Sequence, residues 1–375
     1  MPLDHLAVYL SNSCNLACSY CYVAVNQGPP ARLNLEKIRR AVDEFVSKVP
    51  PERRKITFIG GEPLLDWPLF MDAARCARRA MGPEGVLQTF TNGTLLTPAK
   101  VSFFDEVGVH CTVSLDGMKS DNDRHRVYFK TAQRSVYDDA MERLRPLNKS
   151  NLGVSLVFTA DTVDRLLTNV DAFYRMGFGR ITFNPELYEA WPEAKIAVMK
   201  KVLAGLSRWY RALLDAGARP PQLQILYAVL EAVENETANP RWWHDCHNMT
   251  LGPDGQYYSC DKALSFPVGQ AADMRAGGAA KGMDWEKRQE LLDDPTAFIE
   301  AQGEGLGQVF CPIGVVEHAR RAGREPGAAL KDFRRVADAF GDGLKDLISR
   351  CGGHPAYERL YGRSRALYPN PRISL

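Results

Sequence analysis

The amino-acid sequence predicts an α/β fold in which parallel strands alternate with helices. Short apolar runs recur through the first two thirds of the chain, and each is followed by a segment with helical spacing of its apolar residues. The chain has 375 residues, of which 45% are hydrophobic and 25% charged. That length suffices for one large barrel, or for a barrel with a small appended domain.

Six apolar runs are predicted to be buried strands. They cover residues 6–11, 55–59, 86–91, 110–115, 154–159 and 180–184. Strands this apolar are covered on both faces, and βα units in series imply right-handed crossovers. The pattern fits a partial or full barrel or a doubly wound sheet. In each of these, ligands bind beyond the carboxyl ends of the strands.

A helical pattern follows each strand. Asn34 is a predicted N-cap, and Thr97 with Pro98 supplies a cap and a first-turn proline. Helices are predicted over residues 35–49, 66–81, from 98, near 131–147, over 163–176 and after Pro192.

The character of the sequence changes after about residue 236. Residues 237–285 are rich in Gly, Asn, Asp, Tyr and Trp and have weak periodicity, which is typical of a small, loop-rich domain that needs a staple. The tail from about residue 328 is helical again. We therefore predict domains over 1–235, 236–327 and 328–375.

Charge and targeting signals favour a cytoplasmic protein. The formal net charge is only +2, so neither nucleic acid nor a membrane is required as a partner. No apolar run reaches the roughly 18 residues that span a bilayer. Residues 1–5 lack the features of a secretion signal.

Three of the nine cysteines crowd into the loop after the first strand. Cys14, Cys18 and Cys21 form a C-x3-C-x2-C run. Three thiolates hold three irons of a cubane and leave the fourth iron open to a ligand, whereas an electron-transfer ferredoxin normally supplies four cysteines. The alternative, a zinc knuckle, requires a fourth ligand that is not nearby in the sequence. We interpret Cys76 and Cys111 as core residues.

This run, with an aromatic residue before its last cysteine, resembles the signature of the radical S-adenosylmethionine (SAM) superfamily. The resemblance implies a partial (β/α)6 TIM-type barrel with a small C-terminal iron-sulfur auxiliary domain and a helical tail. It implies a [4Fe-4S] cluster whose open iron chelates SAM. In the family, reductive cleavage of SAM then gives a 5′-deoxyadenosyl radical, which abstracts hydrogen.

The loops after the second and third strands support the resemblance. Gly60, Gly61 and Glu62 belong to Gly-Gly-Glu-Pro, which is similar to the family motif that receives the amino group of SAM. Glycines let a ligand approach the backbone closely. Asn92, in Thr-Asn-Gly, resembles a further loop around SAM.

The resemblance implies five more contacts with SAM. Ser114 and Asp116, in Ser-Leu-Asp-Gly, match a loop in which the serine binds the ribose. Arg126 matches an arginine that pairs with the SAM carboxylate, and its alternative is a solvated loop charge. Tyr20 is expected beside adenine, unless it is a plain core aromatic residue, and Leu187 is a further adenine contact.

The C-terminal cysteines resemble an auxiliary-cluster module. Cys246 and Cys260, with Gly-Gln-Tyr-Tyr-Ser-Cys before the latter, are similar to the start of a SPASM or twitch domain. Cys311 follows at the spacing of a further ligand. Since the C-x2-C-x5-C run of a full SPASM domain is absent, we expect one auxiliary [4Fe-4S] cluster. Its fourth ligand is Cys351, or a substrate atom or one of three histidines, His244, His247 and His318.

The favoured function is oxidation or crosslinking of a residue in a peptide or protein by a radical SAM enzyme. Asp261 matches the base of sulfatase-maturating enzymes. A reductant such as flavodoxin or ferredoxin is expected as a partner. One alternative is dehydrogenation or rearrangement of a small molecule, such as a sugar alcohol or tetrapyrrole. The second alternative is a non-catalytic iron-sulfur or zinc protein.

Overall fold

The structure, a computed structural model, describes residues 3–131, 133–227, 229–230, 247–301, 310 and 312–361. The chain divides into two compact units. The first combines the described residues of 1–114, 119–147 and 244–296, and the second those of 115–118, 148–243 and 297–375. Within the described part, no helix is both long and apolar enough to cross a lipid bilayer.

The first unit is built on a sheet whose central strands are parallel. Its first four strands are β1 (His5–Tyr9), β2 (Lys55–Ile59), β3 (Val86–Thr91) and β4 (Val109–Ser114). They lie side by side in sequence order, and β1 pairs with β2 in parallel register from His5–Lys55 to Tyr9–Ile59. A doubly wound sheet reverses its strand order at a switch point, so this unreversed run favours the barrel type of winding.

Helices follow these strands, and all of them except α4 lie in segments that the sequence predicts to be helical. They are α1 (Leu35–Lys48), α2 (Trp67–Met81), α3 (Pro98–Val107), α4 (Lys119–His125) and α5 (Val136–Leu144). The side chain of Asn34 accepts a 2.9 Å hydrogen bond from the Lys37 N–H, and Thr97 caps α3 in the same way. Both predicted caps are therefore confirmed. Cys111 is buried in β4, and Cys76 is half-buried in α2.

Four further strands continue this sheet beyond β1. These four strands come late in the chain, after β5 (Gly153–Phe158), β6 (Arg180–Pro185) and β7 (Gln222–Leu223), which belong to the second unit. The four further strands of the first unit are β8 (Asn248–Leu251), β9 (Gln256–Tyr258), β10 (Arg275–Gly278) and β11 (Gly282–Met283). Strand β8 pairs in parallel with β1, and β9 returns antiparallel to β8.

A tight turn joins β8 to β9. The Gly252 N–H donates 2.8 Å to the Gln256 carbonyl, and Gly255 has a φ of +83°. The helix Trp285–Ala301, α8, comes after β11. The segment predicted to be loop-rich therefore contributes strands to the first unit. The domain boundaries at 235 and 327 stay predictions.

The second unit pairs the parallel strands β5, β6 and β7 with helices. Its helices are α6 (Leu166–Arg175), α7 (Glu193–Asp215), α9 (Ile313–Arg321), α10 (Pro326–Cys351) and α11 (Pro355–Tyr361). The buried ring of Phe340 on α10 contacts Phe158 and Phe183, at 5.9 and 6.0 Å between ring centres. The helical tail predicted from about residue 328 is confirmed as far as residue 361, and its last 14 residues lie outside the described part of the chain.

The α/β class and all six predicted strands are confirmed, each within one or two residues of its predicted bounds. Helix α4 was not predicted, and α5 is shorter than the pattern over 131–147 suggests. Four of the seven residues of α4 are charged and none is aliphatic, so no apolar periodicity marks it.

Candidate active site

The loop that carries Cys14, Cys18 and Cys21 begins five residues beyond the end of β1. Its backbone folds tightly, because the Cys21 N–H donates 3.1 Å to the Cys18 carbonyl. The Cys14 N–H donates 3.0 Å to the side-chain oxygen of Asn26, and the Asn26 amide donates back to the Cys14 carbonyl at 2.9 Å. Asn26 thus holds the start of the cysteine loop from both sides.

Asn26 is a site residue that the sequence analysis missed. Its φ of +59° lies in the left-handed region, where it is the only non-glycine residue of the described part of the chain. Asparagine tolerates this conformation better than most residues, so an Asn shortly after a cysteine loop and before Gly28 was the available signal.

A second segment runs antiparallel beside the cysteine loop. The Ala17 N–H donates 2.8 Å to the Val127 carbonyl, and the Ser19 N–H donates 3.0 Å to that of His125. These bonds place the buried Arg126 against the loop, with its guanidinium carbon 5.6 Å from the centre of the Tyr20 ring. Arg126 is therefore a buried part of the site and not a solvated charge.

The glycine loop after β2 docks directly on the backbone that leads to Cys14. The Gly61 N–H donates 2.9 Å to the Ser11 carbonyl, and the Glu62 N–H donates 2.9 Å to that of Ser13. A Cβ at Gly61 would overlap the Ser13 carbonyl. Only glycine fits this approach of two backbones.

The Glu62 carboxylate is buried and turned towards the end of β3. It accepts 2.8 Å hydrogen bonds from the Thr91 hydroxyl and the Asn92 N–H, and a 3.0 Å bond from the Leu64 N–H. Burial raises the pKa of Glu62, and these donors oppose that rise. The Asn92 amide in turn donates 2.8 Å to the side chain of Asn15, within the cysteine loop.

The first unit therefore brings most of the predicted SAM-site residues to one place. The loop of Cys14 to Cys21 contacts Gly61, Glu62, Asn92 and Arg126 or their immediate neighbours. Ser114 is half-buried at the last position of β4.

Two predicted contacts with SAM belong to the second unit. Asp116 is buried there, and its carboxylate accepts a 3.0 Å hydrogen bond from the Val157 N–H in β5. Leu187 is half-buried in the segment after β6. Their contacts with SAM stay predictions.

Cys260 follows β9 and precedes a short 3-10 helix, Asp261–Ser265. The Asp261 carboxylate is buried and accepts a long 3.6 Å contact from the Cys260 thiol. The Ala24 N–H donates 2.7 Å to the Leu264 carbonyl, so this helix contacts the chain shortly after Cys21. The first unit thus brings Cys260 and Asp261 to the region of the cysteine loop.

Of the other three C-terminal cysteines, the structure describes only Cys351. Cys246 and Cys311 lie outside the described residues, as does His244. Cys351 is fully buried at the end of α10, where burial raises the pKa of its thiol to about 11. Its role as fourth ligand stays a prediction. The His247 Nδ1–H donates a 2.8 Å hydrogen bond to the Asp4 carboxylate.

The cysteine loop fits a cubane better than a single ion. No three Cys, His, Asp or Glu side chains of the described residues are arranged to hold one metal ion. A cubane binds each cysteine at a different iron, so its sulfurs need not converge on one point. Burial raises the pKa of Cys14, and the negative charges of Glu62, Cys18 and Cys21 add to the rise. These grouped thiols suit a cationic iron cluster, which stabilises their thiolate forms.

Comparisons with known proteins agree with this geometry. Residues 8–171 match the family model of the Radical SAM superfamily. The chain is 24% identical to a serine-type anaerobic sulfatase-maturating enzyme of Klebsiella aerogenes over 278 residues, which are 71% of this chain and 68% of that protein. It is 31% identical to pre-heme d1 synthase of Dinoroseobacter shibae over 153 residues, covering 40% of this chain and 35% of that one.

Solved structures show the same fold. The structure of anSMEcpe with bound AdoMet superposes with a TM-score of 0.68 at 17% identity, over 96% of this chain and 98% of that chain. Streptococcus suis SuiB bound to S-adenosylmethionine gives 0.54 at 13% identity, over 78% and 65%. Together with the cysteine loop and the loops packed around it, the family match shows that residues 8–171 carry a radical SAM domain.

Proposed function

We propose that this protein is a radical SAM enzyme that oxidises or crosslinks a residue in a peptide or protein. One observation carries the proposal: hydrogen bonds within one unit join the cysteine loop to the glycine loop, to Asn92 and to the backbone on either side of Arg126. A zinc knuckle needs no such surroundings, whereas a SAM-binding cluster needs polar groups around its open iron.

Each loop has a separate task in this proposal. Cys14, Cys18 and Cys21 hold the [4Fe-4S] cluster, which with SAM supplies a carbon radical able to abstract hydrogen. The glycine loop offers backbone carbonyls to the SAM ammonium, and Arg126 pairs with its carboxylate. Arg126 is already buried at 8% exposure, so this ion pair forms where water screens it little.

The remaining proposed contacts with SAM rest on the family resemblance alone. It assigns Tyr20 and Leu187 to adenine, and Ser114 and Asp116 to the ribose loop. We propose that an auxiliary [4Fe-4S] cluster is held by Cys246, Cys260 and Cys311, with Cys351, a substrate atom or one of His244, His247 and His318 as the fourth ligand. Asp261 is proposed as the base that takes a proton from the substrate residue during its oxidation, since its buried carboxylate stands beside Cys260.

A peptide substrate is supported by the similar proteins. One is named a sulfatase-maturating enzyme, and SuiB has been solved bound to the precursor peptide SuiA. The alternative is a small-molecule substrate such as a tetrapyrrole. It is supported by the 31% identity to pre-heme d1 synthase, although that match spans fewer residues. We further propose a cytoplasmic location and a flavodoxin or ferredoxin as electron donor.

The experiment is anaerobic reconstitution with iron and sulfide, followed by an assay for 5′-deoxyadenosine with dithionite and SAM. Wild-type protein and Cys76→Ala, in which a half-buried helix cysteine is changed, should both form 5′-deoxyadenosine. Cys14→Ala should form none. Formation by Cys14→Ala at the wild-type rate, or none by the wild type, would overturn the proposal. Mass spectrometry of added peptides that present serine or cysteine, against a porphyrin precursor, separates the two substrate classes.

A further inference from the structure

Lys262 is a buried lysine directly after the Cys260–Asp261 pair. Only 9% of its surface is exposed. Its ammonium lies 3.9 Å from the centre of the Tyr22 ring and 3.8 Å from the Asp261 carboxylate. A lysine is rarely this buried unless its charge has partners, and here the partners come from two loops that each carry cluster cysteines.

The position of Lys262 is fixed by the packing of those two loops. The Ala24 N–H donates 2.7 Å to the Leu264 carbonyl, and Tyr22 and Tyr9 share a 2.9 Å hydrogen bond between their hydroxyls. Val23, Ala263 and Leu264 are buried in one apolar cluster with Tyr9. Lys262 therefore has little freedom to swing its charge away from Tyr22.

Tyr22 is the residue next to Cys21, so the ammonium lies against the side chain that directly follows this cysteine. Burial raises the pKa of Cys21, and the positive charges of Arg126 and Lys262 oppose that rise. Arg126 is already assigned to the SAM carboxylate. Among the described residues, Asp261 is a negative group that faces Lys262. The hydroxyls of Tyr9 and Tyr22 stay neutral because burial raises their pKa values.

A fixed positive charge beside a cluster changes its reduction potential. Reduction adds one negative charge to the cluster, so a nearby ammonium in a poorly hydrated site stabilises the reduced form. A radical SAM cluster acts only after it has been reduced, which makes this form the one that matters for activity.

We propose that Lys262 is a positioning residue that holds the segment after Cys260 against the cysteine loop and favours reduction of the SAM-binding cluster. The inference deepens the proposed function and rests on it. A single side chain then couples the cysteine loop to the segment that carries Cys260.

The test is a redox titration of full-length, anaerobically reconstituted protein, followed by electron paramagnetic resonance. The SAM-binding cluster is identified as the signal that changes when SAM is added. In Lys262→Met, the ratio of reduced to oxidised cluster at a fixed potential should fall about tenfold, equivalent to about 59 mV for one electron. Lys262→Arg should stay within about twofold of the wild type, because it keeps the charge.

Lys37→Met is the matched control. It also removes a lysine of the first unit that contacts the C-terminal segment, since the Lys37 ammonium donates 3.2 Å to the Asp254 carbonyl. Its midpoint should equal that of the wild type. Equal midpoints for wild type and Lys262→Met, or equal shifts for Lys262→Arg and Lys262→Met, would overturn the proposal.

Three further outcomes distinguish the role of the charge from the proposed function. If Lys262→Met and Lys262→Gln do not incorporate iron while Lys262→Arg does, the charge is required to hold the two loops, which supports the positioning role. If all three variants fail, a role for the charge is refuted. A wild-type cluster that does not respond to SAM would instead refute the proposed function, before Lys262 is tested.

Discussion

Glu62 and Asn92 join the ends of two neighbouring strands: the Glu62 carboxylate accepts a 2.8 Å hydrogen bond from the Asn92 N–H. The other carboxylate oxygen accepts from the Thr91 hydroxyl and the Leu64 N–H. The side chain is 2% exposed, so water does not replace these bonds. The acidic residue of the glycine loop therefore supports the architecture of the site.

Glu62→Gln should lower the free energy of unfolding by about 1–3 kcal/mol. A glutamine has one acceptor oxygen, so its amide nitrogen would face a backbone N–H that can no longer be satisfied. Denaturant unfolding of the two proteins measures the difference. Glu36→Gln, on the exposed face of α1, should change stability by less than about 0.5 kcal/mol, and an equal effect of both substitutions would contradict the prediction.

Gly61→Ala should prevent the SAM-binding cluster from assembling. The new Cβ would overlap the Ser13 carbonyl and lie 3.0 Å from the Cys14 nitrogen, so the cysteine loop must move. We expect iron to fall from about eight to about four per chain after reconstitution. The control is Gly205→Ala in α7, where the new Cβ meets a flexible leucine side chain at 3.3 Å. Full iron loading of Gly61→Ala would show that the loop accommodates the methyl group.

The sequence predicted the strands and the loops of the site because both have local signals. Apolar runs mark β1 to β6, and the C-x3-C-x2-C and Gly-Gly-Glu-Pro patterns are contiguous. No contiguous motif marks Asn26 or Lys262 as part of the site. Their roles depend on contacts with Cys14 and Tyr22, which only the folded chain brings about.

The pairing of β8 with β1 was unpredictable for a related reason. Strand β8 has four residues, Asn-Met-Thr-Leu, too few for alternation to be recognised against its surroundings. It forms a strand because it pairs with the edge of β1 that lies opposite β2. The register of this pair runs from His5–Asn248 to Val8–Leu251. Pairing across more than two hundred residues is a tertiary property.

Protonation of His5 should make stability depend on pH. His5 is buried between Asn248 and Thr57, with hydrogen bonds of 3.0 and 2.7 Å, and burial lowers its pKa from 6.5 to about 3. Below pH 6.5 the unfolded chain binds a proton at this residue that the folded chain does not, so stability falls as pH falls towards 3.

Between pH 7.5 and 5.5 this group should cost about 1.4 kcal/mol of unfolding free energy. In His5→Gln, the loss over the same range should be smaller by that amount. Anaerobic denaturant unfolding at the two pH values measures both slopes. Parallel pH dependence in wild type and variant would mean that the pKa of His5 is the same in the folded and the unfolded chain.

Replacing Cys260 should remove the proposed auxiliary cluster and leave the SAM-binding cluster in place. In Cys260→Ala we expect about four irons per chain instead of about eight, because the auxiliary cluster loses a ligand. The SAM-binding cluster should remain, so the spectroscopic change on addition of SAM is retained. Cys76→Ala should keep all the iron. Eight irons in Cys260→Ala would remove this residue from the ligand set, and a wild type that saturates at four would remove the auxiliary cluster.

Asp261→Asn should separate SAM cleavage from oxidation of the substrate. The amide keeps the shape of the buried side chain but cannot accept a proton, so product formation should fall at least about a hundredfold. SAM cleavage depends on the cysteine loop, and 5′-deoxyadenosine should still form. Mass spectrometry of a cysteine- or serine-containing peptide measures the first, and chromatography of the nucleoside measures the second. Asp43→Asn, on the exposed side of α1, should change neither. If Asp261→Asn loses both activities with its iron content intact, Asp261 acts on SAM binding and is not the base for the substrate.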